Sequence, residues 1–514
     1  MKRNRALAYC AASGVAVALA FPNFELRSLA WVGLAPWMLA VRGRRLRTAY
    51  GYGFVTGLIC FGIVLYWIPA TISNFTRIGP YTAGALLVLL ASVVSALMSY
   101  APCSLVVEWL AGAGISRVVA YPVVWVVFEW SRNFVIAAFP WEALGYSQYD
   151  LFPINQLAEL TGVYGISALL VFANAALVEI IVGGWRRHVR LVVAALTVLV
   201  SVCAFGGLRM ASLAGRGGPV VRVGLIQGNI PQQLKWDPSL QDETIDTYLT
   251  LSRQAVARGA KLVVWPEAAV PFWLRRDRRR GRLTEFADKT GASLLVGAPG
   301  YEQRDGGPAK SYNQAWLIVP GKGLVDFYDK IQLVPFGEYI PMSFLFGSVD
   351  IAVDAVGEFG RGRRYTVFSG PTADTRHSPT RFGVLICYEG IFPSLSRRLV
   401  ARGARLLVNI SNDAWYGDTS APYQHLSMVA LRAIENRVPV VRATNTGITA
   451  LIDRTGRIRK ATPLFVPDVV VDDVHLTRAR GLYTRIGDTF AVLCLLGFAL
   501  LAFFRFRLRS QSRR

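Results

Sequence analysis

Histidine and cysteine are both scarce in this sequence, with four and six residues among 514. His188, His377, His425 and His475 lie too far apart for metal-ligand spacing, so neither a metal nor a cofactor is expected. Five cysteines (Cys10, Cys60, Cys103, Cys203 and Cys494) fall within apolar runs. Cys387 is therefore alone in the more polar part of the chain, and no disulfide can form there. Acidic residues are also few, 33 against 56 basic ones, giving a formal charge of +23. Internal repeats and low-complexity linkers are absent.

Apolar sequence is what the chain has in abundance, at 53% of residues. Runs at 6–21, 29–41, 52–68, 83–107, 118–134, 162–182, 191–207 and 490–504 come near the ~20 apolar residues that a spanning helix needs. A single short run could be a buried core helix, but a succession of them points to a membrane domain of about eight spans. The opening M-K-R-N-R before an apolar run resembles a secretory signal peptide. With more runs following at once, it reads as a retained first helix.

The basic residues follow loop parity. Lys2, Arg3 and Arg5 precede the first run, and Arg42, Arg44, Arg45 and Arg47 follow the second. Arg117 follows the fourth, Arg186, Arg187 and Arg190 the sixth, and Arg505, Arg507, Arg509, Arg513 and Arg514 the last. The alternate loops hold little beyond Arg27 and Arg77. This is the positive-inside pattern, with both termini cytoplasmic. It disfavours nucleic-acid binding, which would gather the arginines in one domain. The expected organisation is a membrane domain at 1–213, an extracytoplasmic domain at 214–485, and a last span with a basic tail at 486–514. Glu129, Arg132, Trp141 and Glu142 cluster near the fifth run, either as a functional group or as a hydrogen-bonded interfacial turn.

The insert has a different rhythm. Strands are expected at 220–226, 262–265, 293–296, 406–410 and 438–442, with a hairpin from 314–319 and 323–328. Helical spacing at Ile245, Tyr248, Leu249 and Val256, and over 394–402 and 423–437, places helices between them. The alternation describes an α/β domain.

Within it, R-F-G-V-L-I-C-Y-E-G reads as a buried strand ending at Cys387. An isolated cysteine there is more often core than nucleophile. Glu267 also ends a strand, however, and Lys330 directly follows another. Groups at strand C-termini of an α/β sheet converge on one crevice. A carboxylate, an ammonium and a thiol gathered there divide the work of acyl transfer. Glu267 is the general base, Cys387 the nucleophile, and Lys330 the stabiliser of the developing oxyanion, together with a backbone N–H after Cys387. A surface ion pair is the ordinary alternative for Glu267 and Lys330.

W-P-E at 265–267, K-x-x-L-V-P-F-G-E at 330–338 and C-Y-E at 387–389 together resemble the Glu-Lys-Cys site of the nitrilase superfamily. With apolar runs on both sides, nearly the whole chain resembles the apolipoprotein N-acyltransferase family. Further matches are Q-G-N-I-P-Q near Trp236, P-W-E-A-L-G-Y-S-Q, G-V-Y-G-I-S and N-I-S-N-D-A-W. Gln332 stands where the family often has histidine, and Gln314 where Y-N-S is common. The resemblance implies an integral membrane α-helical domain carrying a nitrilase-like αββα sandwich. It implies supporting roles for Glu338, Tyr388 and Glu389, and a mobile loop bearing Trp236. It also implies a phospholipid acyl donor and a diacylglyceryl apolipoprotein as acceptor. Some relatives carry a fused glycosyltransferase domain, and none is expected here. Phe344 and Phe346, in an apolar run after Glu338, are expected to touch lipid, and Trp415 to line the substrate site. A membrane-anchored amidase or nitrilase-like hydrolase, and an inactive scaffold or transporter, are the alternatives. The complete triad disfavours the last.

Overall fold

A computed structural model describes residues 1–75, 80–135, 138–214, 217–303, 309–335, 337–339, 359–372, 379–477 and 481–511. The chain divides into two compact units. One comprises Met1–Ala214, Thr419–Leu431 and Ile486–Arg514, and the other Gly215–Asp418 and Arg432–Arg485.

The first unit is helical. Among the described residues four helical stretches are long and apolar enough to cross a membrane: Val88–Ala111, Val163–Gly183, Val189–Leu213 and Thr489–Arg507. Val189–Leu213 and Thr489–Arg507 are buried over only 6% and 11% of their apolar windows. Leu208, Val200, Leu493 and Phe506 stand out from them at 58% exposure or more. Apolar helices that bare their side chains in this way are suited to a hydrocarbon solvent. The run at 29–41 is broken. A 3-10 turn covers Arg27–Trp31, and the helix Ala35–Val41 has seven residues, so the run is not one continuous helix. Gly33 and Pro36 lie in or beside the break, and the Gly33 N–H bonds back to Leu29 O. Glu129 accepts from Trp125 Nε1 at 3.1 Å and Leu144 N at 2.7 Å, while Arg132 donates to Trp141 O at 3.2 Å. These groups therefore hold a turn together.

The second unit is a pair of sheets. Its strands are β1 (Val220–Gln227), β2 (Leu262–Val264), β3 (Ser293–Glu302), β4 (Lys310–Val319), β5 (Gly323–Asp329) and β6 (Val367–Thr372). They continue with β7 (Pro379–Ile386), β8 (Leu406–Ser411), β9 (Val440–Thr444), β10 (Ala450–Ile452), β11 (Ile458–Ala461) and β12 (Asp468–His475). One sheet runs β12-β1-β2-β3-β4-β5 and the other β11-β10-β9-β8-β7-β6. In each, two parallel pairings at the centre, β1-β2-β3 and β7-β8-β9, are flanked by antiparallel ones. The two sheets thus repeat one topology that no sequence repeat betrays.

Central strands read as continuous apolar runs because both faces are covered. β2 and β8 are buried at every residue. The sheets meet through β1 against β9 and β4 against β6 and β7. Helices Gln241–Ala257 and Arg280–Thr290 pack on the first sheet, and Pro393–Ala401 packs on the second. Ile245, Tyr248, Leu249, Leu283 and Phe286 fill the helix–sheet layer with Ile226, Val263, Trp265 and Leu294. Burying one such side chain contributes about 1.5–3 kcal/mol.

Candidate active site

Glu267, Lys330 and Cys387 each lie just past a strand. Trp265 anchors the end of β2 in the core. It is fully buried, its Nε1 donates to Ser252 Oγ at 2.8 Å, and its ring stacks on Tyr248 at 4.9 Å. The chain then turns through Ala268 at φ 48°. Trp265 N donates to Leu295 O (2.8 Å) and Val270 N to Gly297 O (3.0 Å), which pins the turn onto β3. Glu267 is thereby aimed across the strand ends. Gly297 is indispensable to this arrangement. A Cβ there would lie 2.4 Å from Pro266 O, 2.6 Å from Ala268 N and 2.7 Å from Glu267 Cα. All three are in backbone, which yields poorly. Gly297→Ala should therefore cut turnover at least roughly tenfold by displacing the Glu267 carboxylate ~1 Å, a misplacement that costs up to a hundredfold elsewhere. Measured kcat and crystallographic position of Glu267 check this.

Lys330 follows β5, its N–H bonded to Asn313 O at 2.9 Å. Its ammonium lies 3.3 Å from Glu267 Oε1 and 2.8 Å from Glu338 Oε1, and its side chain is only 1% exposed. Asn313 Nδ2 donates to the same two oxygens, at 2.7 and 3.1 Å. Glu267 Oε2 accepts from Asn412 N at 2.9 Å. Glu338 Oε2 accepts from Val334 N at 2.9 Å, which closes a turn within K-x-x-L-V-P-F-G-E. Burial opposes the charge on Lys330, yet Glu338 and Glu267 outweigh it and raise its pKa. Burial likewise works against an ionised Glu267, but Lys330 and Asn313 prevail and hold it below the usual range. The pair rests as ammonium and carboxylate.

Cys387 ends β7 at φ 51°, a left-handed conformation that is uncommon outside glycine and is found at strained functional turns. A 3-10 turn, Cys387–Ile391, begins there. Burial and then Glu267 push the thiol well above its ordinary range, with Lys330 drawing it down. It hydrogen-bonds Ser411. Glu389 fixes the turn. Its Oε2 accepts from Ile386 N at 2.7 Å, and its Oε1 accepts from Ile331 N (2.6 Å), Gln332 N (3.0 Å) and Tyr328 Oη (2.8 Å). Burial pushes its carboxyl up to about 7 against the pull of those four donors. One carboxylate thus ties the residue before Cys387 to the two residues after Lys330. Gln332 enters through its main chain, so the side chain at that position is free to vary. Tyr388 is buried edge-on to Phe392 at 5.1 Å.

Behind the thiol lies a polar layer on β8 and β9 to which the sequence reading gave no role. Arg442 pairs with Asp413 at 2.6 Å and bonds Asn409. Asn409 Nδ2 donates to Leu385 O and Cys387 O at 2.9 and 3.3 Å, and Ser411 Oγ donates to Asp413 at 2.7 Å. N-I-S-N-D-A-W was its visible half. Lys235 was also missed, although its ammonium donates to Glu267 O at 3.0 Å. Trp236 is 49% exposed on the turn after β1, and Trp415 is partly exposed on the turn after β8. Phe344 and Phe346 lie outside the described residues. His425 sits beside the Trp141 ring, 6.1 Å between centroids. Among the described residues no group of three or more His, Cys, Asp or Glu side chains is arranged to hold a metal.

The arrangement can take a proton from a thiol, hold a thiolate and meet an oxyanion with an ammonium. Residues 222–483 match the carbon-nitrogen hydrolase family, so the sandwich has the nitrilase-like fold. Residues 13–176 match the apolipoprotein N-acyltransferase N-terminal domain. The apolipoprotein N-acyltransferase of Geobacter metallireducens is 43% identical over 97% of this chain and 95% of its own. That of Pseudomonas syringae pv. tomato is 32% identical over 96% of each. Among solved structures, an amidase from Nesterenkonia sp. is 23% identical, covering 51% of this chain and 92% of its own at a TM-score of 0.37. The chain belongs to the apolipoprotein N-acyltransferase family, a family of acyltransferases.

Proposed function

We propose that this enzyme moves an acyl chain from a membrane phospholipid to the α-amine of the diacylglyceryl-cysteine at an apolipoprotein N-terminus. The observation that carries the reading is the buried Glu267–Lys330–Glu338 cluster beside Cys387 on its strained turn. Glu267 takes the thiol proton, and the thiolate attacks the ester carbonyl carbon. An ammonium has three donors. Two of those on Lys330 meet Glu267 and Glu338. The third meets the oxyanion, with the N–H after Cys387. Collapse breaks the C–O bond, and Glu267 returns its proton to the departing lysophospholipid oxygen. The amine then attacks the thioester carbon and loses a proton to Glu267; the C–S bond breaks, and Glu267 passes that proton to the departing thiolate, leaving an amide and the free thiol.

Arginine parity supports about eight spans in a bacterial inner membrane, with both termini cytoplasmic and the sandwich periplasmic. Exposed apolar helices support lipid as donor and solvent. Glu338, Tyr388 and Glu389 support the site, while Trp236, Trp415, Phe344 and Phe346 contact substrate.

The test supplies purified enzyme with phospholipid and a diacylglyceryl peptide. Mass spectrometry should find the peptide heavier by one amide-linked acyl chain. Free fatty acid with an unchanged peptide would instead identify a membrane-anchored hydrolase.

A further inference from the structure

Lys235 lies on the turn after β1 between Leu234 and Trp236, which are 47% and 49% exposed, yet it is itself 2% exposed. A lysine buried between two bared apolar side chains reverses the ordinary arrangement. Its ammonium donates to the main-chain carbonyl of Glu267 at 3.0 Å. The ionisable groups in whose field it lies are Glu267 and Cys387.

The charges of the site explain what it does there. Glu267 and Glu338 bring two negative charges, and Lys330, bonded to both, brings one positive. Lys330 is therefore already matched at rest. Passing the thiol proton to Glu267 leaves the sum unchanged, so without another cation this buried group carries one uncompensated negative charge both at rest and with the thiolate formed, which is costly. The remaining groups around the thiol do not relieve this. Asp413 is held by Arg442, and Tyr388 and Tyr416 are phenols. With Lys235 counted, the cluster is neutral both at rest and with the thiolate formed beside a protonated Glu267. We infer that Lys235 is a positioning residue for acyl transfer, holding Glu267 by its main chain and supplying the positive charge that makes the Cys387 thiolate attainable. Burial draws its ammonium down to about 8, against the pull of Glu267 and Cys387, as befits a cation bonded to a carbonyl.

The inference rests on Cys387 as the nucleophile, so its test reads the thiol directly. Full-length enzyme in detergent is treated with iodoacetamide across a pH series, and alkylation of the Cys387 peptide is timed by mass spectrometry. In K235M the profile should move to higher pH by about one unit, so that alkylation below the midpoint slows roughly tenfold. K235R should stay near wild type. Release of lysophospholipid should fall about tenfold in kcat in K235M, with KM little changed. K235Q is read alongside, so that a folding defect in one variant leaves the other to decide. Profiles of K235M and K235Q that superimpose on wild type overturn the inference. A Cys387 that alkylates as described yet never carries an acyl group would refute the thioester reading alone.

Discussion

Cys387→Ala should abolish the acyl adduct and reduce transfer by roughly five to six orders of magnitude, the scale on which loss of a nucleophile acts in other acyl-transfer sites. The expectation follows from position. Among the cysteines, Cys387 alone lies in the sandwich unit, and it is fixed on a strained turn in the field of Glu267 and Lys330. On the proposed reading donor lipid and acceptor lipoprotein are both bulky, so one crevice would serve them in turn, and ping-pong kinetics are expected. Incubation with phospholipid alone should release lysophospholipid and leave a hydroxylamine-labile acyl mass on the Cys387 peptide. Cys387→Ser should bind donor but transfer poorly, because an alkoxide is far harder to generate than a thiolate. Normal transfer through a Cys387 that never becomes acylated would mean direct transfer and would overturn this account.

Glu389→Ala should cost stability and activity together. Four donors converge on this fully buried carboxylate, three of them backbone N–H groups. Each donor left unpaired in the interior costs about 1–3 kcal/mol, so a loss of at least about 4 kcal/mol is expected in unfolding. Activity should fall even in detergent and temperature conditions where the protein stays folded, since the links from Glu389 to Ile386 and to Ile331 and Gln332 set Cys387 against Lys330. Glu389→Gln should be milder yet still impaired. An amide can present only one acceptor oxygen, so either Ile386 N–H or the donors at Oε1 would face an NH2 group. Full activity in the folded alanine variant would show that Glu389 serves stability alone.

Much of this was legible in the sequence for a simple reason. Central strands are buried on both faces, so β1, β2, β7 and β8 appear as apolar, β-branched runs, and the candidate residues Glu267 and Cys387 stand just past β2 and β7. What escaped was whatever depends on pairing between distant segments. β10 went unread because it has only three residues, and the edge strands β11 and β12 because they are polar; β11 is exposed at three of four residues, and β12 carries Asp468, Asp472 and Asp473. Asn313 is inconspicuous in S-Y-N-Q until β4 and β5 bring it beside both carboxylates. Arg442 looks like an ordinary charge until β9 lies next to β8. Lys235 is hidden for the same reason, since nothing local distinguishes a buried lysine from a solvated one. The apolar run at 29–41 misled in the opposite direction, its hydropathy being sound while the chain breaks it into a 3-10 turn and a seven-residue helix.

The pairing of β1 with β12 has a consequence for biosynthesis. Val220 lies opposite His475 and Gln227 opposite Asp468, so the first strand of the sandwich is flanked by the last. Until residue 475 has been translated, β1 has one unsatisfied edge, and about 250 residues must wait with it. Closing a sheet across that sequence separation is slow, and a nascent chain held open is vulnerable to proteases and to pairing with its neighbours. Ribosome stalling or truncation shortly before β12 should therefore yield a species degraded far faster than its length alone would suggest. Because the strands are antiparallel, the chain also leaves the sandwich beside the point where it entered. Ends lying side by side make the sandwich a self-contained insertion in the chain.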